Sequence, residues 1–159
     1  MTQTKLASNQ QRGEVVNVLD YMTQEQIDDV QAGTAAVDVT AAFNSLNAYL
    51  STLSVPHEVV IPAGGYKVNP LNTTTALGSS QAHLINLTQN GSKVSGPGLI
   101  QIDSSVDYTA GFSSGDEEYW SVVLISADDC VVEGLRFDGD GTHTAEGYNA
   151  SIVNIRWQM

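Results

Sequence analysis

Eleven of the chain's 18 acidic residues fall between positions 103 and 146, where Arg136 is the single Lys or Arg. Paired carboxyls are the apparatus of glycoside hydrolysis. Retention needs them about 5–5.5 Å apart and inversion about 6.5–9.5 Å, with one kept protonated as the acid. Three tight groups qualify by type: Asp116-Glu117-Glu118, Asp128-Asp129 and Asp138-Gly139-Asp140. The first reads as solvated loop, the second as corner residues whose side chains cap turn amides. The third reads as a glycine-rich turn, and Asp138 with Asp140 is the catalytic pair to choose if any acid pair here is one. An EF-hand would need an acid at its twelfth position, which counted from Asp138 is Asn149. A looser calcium set of Asp138, Asp140 and Glu146 ranks below the plain turn.

The same half carries aromatic residues that could stack on sugar rings: Tyr108, Phe112, Tyr119, Trp120 and Tyr148. Tyr119-Trp120, beside the 103–118 segment, is the patch to test first; core or intersubunit packing is the competing use of each ring. His57, His83 and His143 show no metal-ligand spacing, and His57, just ahead of a strand, is expected to face water. Cys130 is the sole cysteine, which excludes an intrachain disulfide, and its place at a strand start makes it a structural thiol. No GxSxG elbow or GxxxxGK[ST] loop occurs, and Pro97 in Gly96-Pro97-Gly98 interrupts any nest of amides. No metal and no cofactor are expected.

A formal charge of −12 leaves no Lys/Arg cluster to replace phosphate counterions, so nucleic acid and anionic membranes are poor partners. No stretch nears the 18 to 20 apolar residues of a membrane helix, and the start lacks an apolar signal region.

The elements that must hold these residues follow from local pattern. Residues 1–13 read as a mobile arm or linker, and 14–57 as a strand followed by a helical cap. The strand covers Glu14 to Tyr21. Thr23 and Gln26 form a capping box for a first helix that Gly33 ends. A second helix, capped by Asp38, runs to about Thr52 with Val39, Ala42, Phe43, Leu46, Leu50 and Leu53 on one stripe. From residue 58 to 159 short apolar runs alternate with turns, and the segment around Asn90-Gly91 repeats around Asp128-Asp129 at an offset of 38. A third copy starts near Ile152, with Ile155 lying 30 positions past Ile125. Repeats too small to bury their own apolar face gain a core by stacking, as in parallel β-helices. A β-sandwich is the alternative for such strands.

Val16-Asn17-Val18-Leu19-Asp20-Tyr21, the helix after it, and Val59-Val60-Ile61-Pro62-Ala63-Gly64-Gly65-Tyr66 resemble the amino-terminal part of pectate-lyase-like right-handed β-helix proteins, especially bacteriophage tailspikes. The resemblance covers about residues 14–68. It makes Pro62, Gly64, Gly65 and Tyr66 the opening of the first coil. The segments holding Gly96 and Gly134 are similar to the family's later coils. Many relatives carry a glycine-rich turn after Asp-Tyr, where this chain has Met22-Thr23-Gln24-Glu25. The resemblance implies a virion protein of the phage tail or baseplate, usually a homotrimer, that binds and often cleaves polysaccharide of the bacterial host. The final residues stop inside a coil strand, so the chain is expected to be the amino-terminal piece of a longer spike. That piece would cap and anchor the β-helix and be inactive alone. The alternative is a polysaccharide depolymerase, hydrolase or lyase, whose site lies mostly elsewhere; a free secreted enzyme ranks lower.

Overall fold

The computed structural model describes residues 13–73, 82–105, 118–139 and 148–155. Ten strands dominate: β1 (Glu14–Asn17), β2 (His57–Val60), β3 (Gly65–Val68), β4 (Ala82–Leu87), β5 (Lys93–Ser95), β6 (Leu99–Ile102), β7 (Glu118–Ile125), β8 (Val131–Glu133), β9 (Arg136–Asp138) and β10 (Tyr148–Ile155). The helices are α1 (Gln24–Ala32) and α2 (Thr40–Leu50). None of the described helices is long and apolar enough to cross a membrane.

The strands form three sheets, ordered β1-β2-β5-β8, β3-β6-β9 and β10-β7-β4, and the described pairings between strands are all parallel. Hairpins of an antiparallel sandwich are therefore not what the 84–102 and 122–137 strands make. We call the sheets A, B and C in that order. From β4 onward the chain visits C, A and B in rotation, twice, and β10 returns to C. Val94 pairs with Val132 and Leu87 with Ile125, the offset of 38 that also joins the Asp128 amide to Asn90 Oδ1 at 3.1 Å. Ile155 pairs with Ile125, 30 positions earlier. The corner leading to β9 is one residue shorter than the one leading to β6, so Leu99 pairs with Arg136 and not with Phe137, as an offset of 38 would require. Gly91 (φ 76°) and Asp129 (φ 56°) occupy equivalent corners, and aspartate is among the few side chains that enter the left-handed region readily.

Alternation places Val16, Val59 and Val94 of sheet A, and Tyr66, Val68, Ile100 and Ile102 of sheet B, in one buried core. Tyr66 is fully buried and donates its hydroxyl to Pro62 O at 3.0 Å. Phe43, Leu46 and Leu50 of α2 enter the same core, Phe43 edge-on to Tyr66 at 6.1 Å.

Several local expectations need correction. The first strand stops at Asn17, because the Asn17 side chain accepts the Leu19 amide and turns Val18–Tyr21 into a 3₁₀ helix with Val18 buried. The second helix starts at Thr40 and ends at Leu50. Asp38 Oδ1 does accept the Thr40 amide at 2.8 Å, but Val39 holds the cap position, since its N–H is used on Lys67 O at 2.9 Å. Thr23 accepts the Gln26 amide at 3.3 Å while Gln26 Oε1 accepts the Thr23 amide at 2.9 Å, a reciprocal capping box that Gly33 (φ 69°) closes at the other end. His57 opens β2 and is 2% exposed, its Nδ1 3.3 Å from Val55 O and 3.5 Å from Ser92 Oγ. It does not face water, because the following corner folds over it.

The helical segment closes the first edges of two sheets. On β4, Asn47 Nδ2 donates to Leu84 O at 2.5 Å and Asn47 Oδ1 accepts the Asn86 amide at 3.0 Å, so one carboxamide stands in for a missing strand. On β3, Asp38 bridges Lys67 in parallel and Thr40 Oγ1 accepts the Asn69 amide at 2.8 Å. Asn47→Ala strands an acceptor and a donor together. A buried group left unpaired costs about 1–3 kcal/mol, so the urea unfolding midpoint should fall by the equivalent of about 2–4 kcal/mol. Asn44→Ala, one turn earlier and bonded to Asn72 O at 2.8 Å in an exposed setting, should cost well under that.

Candidate functional site

The outer face of sheet B carries a row of polar side chains and borders a cleft. Because Tyr66, Ile100 and Phe137 turn inward, the register sets Lys67, Gln101 and Asp138 side by side in one outward row, one from each strand. Asp103 follows two residues after Gln101 and so falls on the same side. It is held by its amide on Val68 O at 2.9 Å. The loop after α1 forms the opposite wall of a cleft of about 370 Å³ lined by Thr34, Ala35, Lys67, Gln101, Asp103 and Ser105.

That loop is organised by Asp29, a buried carboxylate near the end of α1. It accepts the Ala36 amide at 3.0 Å, the Val37 amide at 3.0 Å and the Thr34 hydroxyl. Burial works against its charge, yet the Thr34 hydroxyl and the Val37 and Ala36 amides, with Lys67 nearby, outweigh burial and hold the carboxyl below its usual range. Asp103 is balanced in the same way: burial opposes the charge, while the Ser105 hydroxyl (2.6 Å) and amide (3.0 Å) and Lys67 Nζ (3.7 Å) prevail and lower it. The Gln101 carboxamide lies over Gly65, where a Cβ would stand 2.9 Å from Oε1.

A carboxyl lowered from 3.8 contributes stability above that pH and loses it as pH falls through the folded value. Urea midpoints should therefore drop as the pH falls below about 4, and Asp29→Asn should show a shallower drop. At neutral pH the same variant should lose about 1–3 kcal/mol, the cost of weakening hydrogen bonds to a charged group. Equal slopes for both proteins would remove Asp29 from this role.

The cleft offers an ammonium, a carboxamide, hydroxyls and a carboxylate, donors and acceptors suited to a neutral, hydroxyl-rich ligand. Hydrolysis would need a carboxyl kept protonated, and among the described carboxylates the resolved shifts, at Asp29, Glu58 and Asp103, all lie in the opposite direction. The Cys130 thiol is pushed up by burial and lies 3.6 Å from Gln89 O, so it is no activated nucleophile. No group of three or more metal-binding side chains occurs among the described residues.

The candidates read from sequence scatter. Asp138 is exposed at the end of β9 and joins the row beside Gln101. Asp140, Tyr108, Phe112 and His143 lie outside the described residues. Tyr119 and Tyr148 sit in β7 and β10 and are described only by their strand positions. Trp120 is 1% exposed and packs near Phe137 with ring centroids 6.2 Å apart, so its indole belongs to the core and offers no sugar platform. Sequence reading missed Lys67, Gln101, Asp103 and Thr34. The signal for Lys67 was present, as a lone polar residue between the inward Tyr66 and Val68, but its neighbours in the row lie on other strands.

On sheet A a second polar group links Lys93 Nζ to Glu133 (2.6 Å) and Glu58 (3.4 Å), with Ser95 Oγ donating to Glu58 at 2.6 Å. These partners satisfy one another.

No family model, no curated protein and no solved structure matches the chain.

Proposed function

We propose that this chain is the amino-terminal portion of a phage tailspike or tail-fibre protein, a right-handed parallel β-helix that recognises surface polysaccharide of the bacterial host. The observation that carries the reading is the rotation C, A, B with parallel pairing throughout the described strands, begun at an end where α2 replaces the missing strands. Parallel crossovers are right-handed in about 98% of cases, which supports that hand. The cleft of Thr34, Lys67, Gln101 and Asp103 supports neutral-sugar binding through hydrogen bonds. The depolymerase alternative would need a carboxyl held protonated, and the described acids with a resolved shift, Asp29, Glu58 and Asp103, are shifted the other way.

The test is to express the uninterrupted reading frame, determine its hand and oligomeric state by electron cryomicroscopy, and measure retention on immobilised host polysaccharide. A right-handed homotrimer that binds and loses affinity on Lys67→Ala plus Gln101→Ala supports the reading. A left-handed coil, or a protein that binds no host glycan, overturns it.

A further inference from the structure

We propose that Asp103 is the specificity-determining residue of the sheet B cleft, a fixed anion that cancels Lys67 and so admits uncharged sugar units while turning away their uronic-acid counterparts. The inference rests on the cleft's being a sugar site and adds which sugars it excludes and by what group.

The sign of the cleft follows from what neutralises what. Among the described residues of its lining Lys67 is the one cation, and Asp103 Oδ2 stands 3.7 Å from its Nζ. The two side chains are only 23% and 15% exposed, so solvent screens the pair poorly. Their separation exceeds the about 2.7–3.2 Å of a direct hydrogen bond, and a sugar hydroxyl placed beside them can accept from Nζ while donating to Oδ2. Lys67 also acts on the buried carboxylate of Asp29 behind the opposite wall, and Asp138 extends the row beyond Gln101. One ammonium thus answers to carboxylates on more than one side. Arg136, the other described cation on the outer face of sheet B, donates Nε to Pro97 O at 3.3 Å and is no part of the lining. A ligand carboxylate would meet no uncompensated cation among these residues. In a chain of formal charge −12 the wider field repels it as well.

The charge on Asp103 is built in. Its Oδ1 accepts the Ser105 amide at 3.0 Å and the Ser105 hydroxyl at 2.6 Å, while its own amide donates to Val68 O at 2.9 Å. Hydrogen bonds to a carboxylate favour its ionised form, and they also stop this one from swinging aside for a second anion. Gln101, paired with Lys67 across the strands, adds a donor and an acceptor without charge, which suits hydroxyl groups.

The test titrates the whole chain with sugars that differ only by oxidation of the exocyclic carbon, galactose against galacturonate and glucose against glucuronate, following the Gln101 and Ser105 amides by NMR. The neutral member is expected to bind at least about fivefold more tightly, the factor for unit charges about 4 Å apart even in bulk water. Asp103→Asn keeps an oxygen for the Ser105 donors and removes the charge, so it should bring the two members level or reverse their order. Gln101→Lys leaves the Asp103 turn untouched and should move the ratio the same way; it decides the matter if the asparagine variant does not fold. Salt near 1 M, with a screening length of about 3 Å, should shrink the wild-type preference. A uronate that binds the wild type as well as its neutral partner, or a preference that survives Asp103→Asn in a folded protein, overturns the proposal and leaves the sugar site standing. Shifts from neither member of either pair in any of the three proteins would remove the site and the proposal together.

Discussion

Gly96→Ala is expected to lower stability by about 3–5 kcal/mol, summing backbone strain of about 1–3 with overpacking of similar size. Its φ of 118° is one that L side chains rarely adopt, and the added Cβ would meet the Ile61 carbonyl at 2.2 Å. That carbonyl cannot retreat. Ile61 is fully buried, its N–H donates to Ser95 O at 2.8 Å and its oxygen accepts the Gly98 amide at 3.2 Å. Gly33 supplies the control, with φ 69° but nothing within 4 Å of its Cβ. Gly33→Ala should show only the conformational penalty, about 1–2 kcal/mol. Urea unfolding of both variants, followed by circular dichroism, separates close approach from φ alone. A similar loss in the two would mean that the layers are not in contact at this corner.

Trp120→Ala should cost about 3–5 kcal/mol, as for other large aromatic residues removed from a core. Trp120 belongs to the core cluster that joins sheets A, B and C, and it lies beside Phe137. Its Nε1 has no hydrogen-bond partner among the described residues, so Trp120→Phe removes an unsatisfied buried donor as well as volume. The phenylalanine variant should lose much less, about 1.5 kcal/mol at most, as for a swap between apolar side chains. The decisive contrast is with glycan binding: an alanine variant of unaltered stability that no longer binds sugar would return Trp120 to the surface.

Local signals proved readable. Thr23 and Gln26 lie three residues apart and make their capping box within one turn of α1. The stripe from Val39 to Leu50 is a helical face, and its large residues are buried. The offset of 38 was legible because both corners need residues tolerant of positive φ, Gly91 and Asp129. What could not be read depends on partners far along the chain. Asn47 acts on Leu84 and Asn86, 37 and 39 residues away, and nothing in its own neighbourhood distinguishes it from Asn44. Trp120 through Leu124 are five successive buried residues in β7, so both faces of that strand are covered. Alternation marks one buried face and cannot reveal a second. His57 was assigned to solvent for the same reason: the Ser92 corner that covers it lies 35 residues later. The candidate cleft was hidden because Thr34, Lys67 and Gln101 share no local pattern and meet only through sheet register.

The carboxamide of Asn47 has a consequence for assembly. Unprotected sheet ends recruit other molecules and seed cross-β polymers. Here a newcomer at the α2 side would find β4 and β3 occupied and only the four residues of β1 still offering backbone. Among the described residues, growth in that direction is left one short edge, that of β1, in place of three.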